Sequence, residues 1–170
     1  MADKVDRILE QWQLEKPGLD VSPMAVIGRL SRAALAVESR LANTFARHGL
    51  DASSFDVLAT LLRSGTPYRI TPADLAREAM ISTSAVSQRL NKLEARGLVR
   101  RESNPNDGRG TLVGLTEAGK ELIERALPDH LATERTIVST LNSEEQAVLA
   151  RLLGRLEDPA STSESLRERA

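Results

Sequence analysis

Two helical patterns separated by only Met80-Ile81-Ser82 constrain this chain more than any other feature of it. The first, Thr71-Pro72-Ala73-Asp74-Leu75-Ala76-Arg77-Glu78-Ala79, opens with a Thr cap, Pro at the first helical position and Asp three residues after the cap. The second starts at Ser82. At about 100° per residue, its Val86, Leu90 and Leu93 share one stripe while Ser84, Ser87, Gln88 and Asn91 gather opposite. So short a join fits a helix-turn-helix whose second helix is free to enter a groove.

The small polar face suits a major groove about 12 Å wide, where hydroxyl and amide groups meet base edges and Gln or Asn can pair bidentately with adenine. Ser82, Thr83, Ser84, Ser87, Gln88 and Asn91 are the candidate contacts, with Lys92 and Arg96 flanking them for phosphates. Gly97 stops the helix, and Leu98-Val99-Arg100-Arg101 then reads as a strand paired with Thr111-Leu112-Val113-Gly114-Leu115. Asn104 to Gly110, dense in turn formers, carries Asp107 and Arg109 at the tip of this basic hairpin. A polar helix face is often merely solvated. The clean helix start and the short join favour a reader of DNA instead.

The formal charge of -1 rules out a bulk polycation. Between Ser84 and Arg109, however, Arg89, Lys92, Arg96, Arg100, Arg101 and Arg109 stand against Glu94, Glu102 and Asp107, a local footprint for nucleic acid. Without cysteine there are no disulfides, thiolate nucleophiles or thiol redox sensors, and His48 and His130 are too few for a transition-metal site. Each His reads as an ordinary surface or helix-end residue. No phosphate-binding Gly-rich loop or paired carboxylate site is recognisable, which disfavours an enzyme and any cofactor. No run approaches the roughly 18 apolar residues of a membrane span, and no signal peptide is recognisable. A cytoplasmic protein, nucleoid-associated when on DNA, is expected.

In chain order, Asp3 to Glu15 reads as an amphipathic helix with Val5, Ile8, Leu9 and Trp12 on one face. Ser22-Pro23 restarts a helix, Ser as cap, that continues to about His48. Ala52 to Ser64 is a third, and Tyr68-Arg69-Ile70 a short strand beside the wing. Thr116 caps a long helix to about Leu141, with a kink or break expected at Pro128. Ser143-Glu144-Glu145-Gln146 reads as a capping box opening a last helix to about Leu156, followed by a loose tail.

The fold class is therefore mainly α with a small β-wing (α+β): a winged helix-turn-helix with long N- and C-terminal dimerisation helices. The expected division is 1–48 for the extra and long helices, 49–115 for the reading lobe, 116–156 for the C-terminal helices and 157–170 for the tail. The outer helices carry more apolar surface than so small a module covers, so they are expected to pair with a second copy. A symmetric homodimer sets two reading helices about 34 Å apart on a palindrome of double-stranded DNA.

Together these elements resemble the MarR family of bacterial transcription regulators. The resemblance covers about residues 24–156: a long helix, the helix from Leu50 to Leu62, the helix-turn-helix from Thr71 to Arg96, Asp107-Gly108-Arg109 in the wing, and Leu115-Thr116-Glu117-Ala118-Gly119. It implies that Arg109 enters the minor groove, oriented by Asp107, in keeping with the attraction of Arg to narrow grooves. Gly108 stands where a second wing Arg is common.

Asp6-Arg7-Ile8-Leu9-Glu10-Gln11-Trp12 followed by Pro23 to Leu30 is similar to the urate-responsive PecS/HucR-type subgroup. By that resemblance the effector is urate or a related purine, held by Trp12, Asp56, Arg89 and Arg101. The residues independently support one of these. Arg89 lies about 60° from Val86 on the helical wheel, at the margin of the packing stripe, and needs a carboxylate or an anionic ligand there. Arg101, on the wing strand, is expected to reach the same cleft. Trp12 is equally readable as a packing residue, Asp56 with either Arg as a structural ion pair, and Arg101 as a phosphate contact.

The function expected is a homodimeric, ligand-responsive repressor that leaves its operator when a small anion binds. The alternative is a winged-helix protein-interaction module without a small-molecule ligand.

Overall fold

The computed structural model of the chain describes residues 3–79, 82–104 and 110–157, with backbone alone at Thr83. Met80 and Ile81 of the expected turn, Asp107 and Arg109 of the wing tip, and the tail from 158 onward lie outside the described residues. The chain forms two units, 1–133 and 134–170. The first holds α1 (Lys4–Glu15), α2 (Ser22–Arg47), α3 (Ala52–Arg63), β1 (Arg69–Ile70), α4 (Pro72–Glu78), α5 (Thr83–Ala95), β2 (Val99–Ser103), β3 (Thr111–Leu115) and most of α6 (Glu117–Val138). The second holds the end of α6 and α7 (Ser143–Glu157).

Most helix starts follow from short polar side chains that cover amides left unpaired in the first turn. Asp3 accepts from the backbone N–H of Val5 and Asp6, while the Asp6 carboxylate accepts from the Asp3 N–H, closing a capping box on α1. Asp51 caps α3 by accepting from the Ser54 N–H at 2.7 Å. Thr71 Oγ1 caps α4 by accepting from the Asp74 N–H, and donates to the Asp74 carboxylate at 2.7 Å. Ser82 caps α5, accepting from the Ala85 N–H.

Three local expectations are corrected. Ser22 is the first residue of α2 rather than its cap. Val21 takes that place without a side-chain hydrogen bond, and the Ser22 N–H donates to Asp20. The capping box of α7 begins one residue earlier than Ser143: Asn142 Oδ1 accepts from the Glu145 N–H at 2.9 Å, and Glu145 accepts from the Asn142 N–H at 2.8 Å. Gln146 instead turns back to the carbonyls of Val138 and Leu141.

Finally, of the kink or break expected at Pro128 the break does not occur, since α6 continues across it. Proline removes one N–H donor. Contacts to α2 hold the helix around it: Asp129 with His48 Nε2 at 2.9 Å, and Thr133 Oγ1 with Thr44 Oγ1 at 2.8 Å.

The sheet is antiparallel in the order β1-β3-β2, with Val99 opposite Leu115 and Ser103 opposite Thr111. Its inner side closes over the lobe. Leu58 and Leu61 of α3, Leu75 of α4, Leu93 of α5, Val113 of β3 and Ile123 of α6 are all fully buried. Each such leucine contributes about 1.5–3 kcal/mol by leaving water. The result is a helix-turn-helix clamped between α3 and a three-stranded wing.

The outer helices contrast with this. α1 is pinned to α2 by Arg29, which meets Asp3 at 3.0 Å and Asp6 at 2.6 Å. Ile8 of α1, and Met24, Val26, Ile27 and Leu35 of α2, nevertheless remain exposed, as do Val148, Leu149, Leu152 and Leu156 of α7.

Candidate nucleic-acid interface and effector cleft

Burial of Val86, Leu90 and Leu93 fixes which way α5 faces, because these residues sit in the shared core. Ser84, Ser87, Gln88, Asn91 and Lys92 consequently lie exposed on the other side. Ser82 is part of this end of the helix, but its hydroxyl is engaged in the cap and lies 3.1 Å from that of Ser84. The Thr83 side chain, like Asp107 and Arg109, is outside the described residues.

Each flank of α5 is held by an ion pair. On one, Lys92 donates to the Asp51 carboxylate. That hydrogen bond, reinforced by the donors of Ser54 and Ser53, holds the Asp51 carboxyl far below the usual carboxylate range. On the other flank, Arg101 of β2 donates through Nη1 to Glu94 and through Nη2 to Asn91 Oδ1 at 2.8 Å. Glu102 of the same strand gathers Arg100 and Arg69, the latter at 3.1 Å. Lys92 and Arg101 are therefore committed to protein partners in the structure described.

Arg89 points away from the exposed polar face of α5. It is half-buried, and its Nη1 is enclosed without a hydrogen-bond partner among the described residues. Asp56, on α3, lies within its field. Desolvation raises the Asp56 carboxyl above its ordinary pKa, opposed first by the positive charge of Arg89 and then by His130 and Arg63. Asp56 also lines a cavity of about 300 Å³ with Ala59, Thr60, Arg63, Glu78 and Ala79. Arg63 spans this hollow from α3, donating to the Glu78 carbonyl.

The structure thus brings Asp56 and Arg89 together and sets Arg101 on the other flank of α5. Trp12 is 38% exposed on α1 and is not among the residues lining the Asp56 cavity.

Several contributors were not singled out from sequence. In the sequence Glu94 reads only as an acid in a basic region, yet it anchors Arg101. Asp51, ahead of Ala52-Ser53-Ser54, carried a readable cap signal. His130 is not an ordinary surface residue: its ring stacks on Phe45 at 5.6 Å and lies tilted 4.5 Å from the ring of Phe55, beside Asp56. No spacing rule announces that contact, since it joins α2, α3 and α6. Among the described residues, no group of three His, Cys, Asp or Glu is placed to hold a metal, and no helix is long and apolar enough to cross a membrane.

Comparison with known proteins agrees with this geometry. Residues 48–110 match the profile of the MarR family. The chain is 42% identical over 154 residues to the HTH-type transcriptional regulator PecS of Dickeya dadantii, spanning 91% of this chain and 93% of that protein. Its fold is similar to that of Sco3205, a MarR family transcriptional regulator from Streptomyces coelicolor solved in complex with DNA. The TM-score is 0.75 at 29% identity over 82% of this chain and 88% of that one. It is also similar to Bordetella bronchiseptica BpsR, whose DNA binding is regulated by 6-hydroxynicotinic acid, with a TM-score of 0.69 at 27% identity over 79% and 99% of the two chains.

Proposed function

The chain belongs to the MarR family of transcriptional regulators, and from that premise we propose that it is a homodimeric repressor of a palindromic operator, released by a small anion such as urate or a related purine. It is a regulator and not an enzyme, as its relatives are. The observation that carries the effector reading is Arg89, a guanidinium on the inward side of α5 with Nη1 enclosed and without a hydrogen-bond partner among the described residues. A half-buried cation in that position is stabilised by a planar anion able to meet its forked donors.

Asp56 gives the proposal its switch. An anion drawn to Arg89 enters the field of a carboxylate already disfavoured by desolvation. Relief comes from moving α3 and α5 apart, which changes the spacing of two reading helices in a dimer. A ligand that binds one spacing better than the other shifts the population between them by its difference in affinity. The exposed apolar faces of α1 and α2, and separately of α7, supply surface for the second copy.

Dimerisation and release are both measurable. Sedimentation at micromolar concentration should give a dimer. Urate titrated into a complex with an operator found by selection should release the DNA, and Arg89→Ala should blunt that release. No release at millimolar urate, with Arg89→Ala indistinguishable from the wild type, rejects urate as the effector and leaves the DNA-binding reading intact.

A further inference from the structure

Asn91 lies on the groove side of α5, and its amide is not free to face either way. The Arg101 guanidinium stands 2.8 Å from it. Arginine carries five N–H donors and no acceptor, so the Asn91 atom turned toward it must be the carbonyl Oδ1. Two features keep Arg101 there. Its Nη1 is engaged by the Glu94 carboxylate, one turn along α5. Its backbone is registered opposite fully buried Val113, which fixes the point from which the side chain departs.

The amide is thereby polarised in its chemistry. An unrestrained Asn pairs with adenine by donating to N7 through Nδ2 and accepting from the N6 amino group through Oδ1. Here Oδ1 already accepts from a cation. Its second lone pair remains, but an incoming N6–H donor would meet the positive charge of the guanidinium. What Asn91 presents to solvent is the Nδ2 amide, which only donates, beside that charge. Guanine offers two acceptors, N7 and O6, at the corresponding edge.

Resting on the reading of α5 as the DNA-contacting helix, we propose that Asn91 is a donor-only base reader that selects guanine over adenine at one position of each half-site, with Arg101 as the positioning residue that sets this preference. Gln88, exposed and without such a partner among the described residues, keeps the bidentate adenine option. Two amides that look alike in the sequence then read different bases.

The test is selection of bound duplexes from a random-sequence library, using the full chain and its variants. Asn91→Ala should lose preference at one half-site position, and the wild type should favour guanine over adenine there by roughly tenfold. Arg101→Met frees Oδ1 and should move that position, and no other, toward adenine. Arg101→Lys, still a donor to Oδ1, should retain guanine. Loss of a merely structural brace would weaken binding to all sequences without changing one base.

Asn91→Asp supplies a second arm on an exposed residue, for use if Arg101→Met does not fold. An acceptor-only side chain there should turn the preference to cytosine, whose N4 amino group donates. Adenine at the Asn91 position in the wild type, guanine retained by Arg101→Met, or guanine retained by Asn91→Asp each overturns the proposal. If Asn91→Ala changes no position while the wild type still enriches a palindrome, Asn91 is not a reader and only this proposal falls. Enrichment of no sequence by the wild type removes the DNA-reading role, and the proposal with it.

Discussion

A Cβ atom on Gly119 would stand 1.9 Å from the carbonyl oxygen of Leu98. The first turn of α6 therefore rests directly on the chain leaving α5, and the contact is locked from both sides. The Thr116 N–H donates to the same Leu98 carbonyl at 3.1 Å, and Thr116 Oγ1 donates to Gly97 O while accepting from the Gly119 N–H. Only a residue without a side chain fits. Gly119→Ala should lower the unfolding free energy by about 3 kcal/mol in urea denaturation, since the obstacle is backbone and cannot rotate aside. Gly154→Ala, where a methyl meets nothing within 4 Å, should show no such loss.

Asp51 joins two tasks, capping α3 and holding Lys92. Asp51→Ala should cost about 1 kcal/mol as a lost cap. The pH dependence has a definite sign. The folded pKa is depressed below the ordinary value of 3.8, so the stabilisation is fully present above that value and is lost as pH falls through the folded pKa. The stability gap between wild type and variant should narrow on acidification below about pH 4. A gap independent of pH would show that the carboxylate charge contributes nothing.

Asp56 should behave in the opposite sense. Desolvation raises its folded pKa, so its contribution is greatest when it is protonated and declines as pH rises through that value. Thermal melting of Asp56→Asn against the wild type should show the variant gaining relative stability from acid toward neutral pH. A relative loss over that range would mean that attraction to Arg89 outweighs burial.

Salt dependence of operator binding distinguishes free from committed cations. Each phosphate contact adds about 0.9 to the slope of log K against log salt. Arg96→Gln should reduce that slope by nearly one contact. Lys92→Gln should reduce it less, because Asp51 already balances Lys92. Equal reductions would show that Lys92 leaves Asp51 when DNA binds.

The readable parts of this chain were those decided within a few residues. Thr71, Ser82 and Gly97 announced the limits of α4 and α5 because caps and stops are local chemistry. The stripe of Val86, Leu90 and Leu93 likewise gave the buried face of the reading helix. Reading failed where the deciding partner is distant or where neighbours compete. Asn142 and Ser143 both make good caps, and only the reach of Glu145 separates them. Pro128 reads as a breaker in the sequence, whereas α6 continues across it beside contacts to α2 that no local pattern shows. At the site, Arg89 was legible from its angle on the wheel. The destination of Arg101 was not, because it depends on strand register and on Glu94.

The two ion pairs beside α5 act on different neighbours, Lys92 reaching α3 and Arg101 arriving from β2. Rolling the helix about its own axis would stretch one tether or the other whichever way it turned. Tilting together with the wing leaves the Arg101 pair intact, whereas parting from α3, the movement proposed for the effector response, works against the Lys92–Asp51 pair. The helix is thus geared to the wing, and on the proposed function a signal arriving at Asp56 and Arg89 would reach DNA as movement of α5 with the wing away from α3, the side chains that α5 turns outward staying the same.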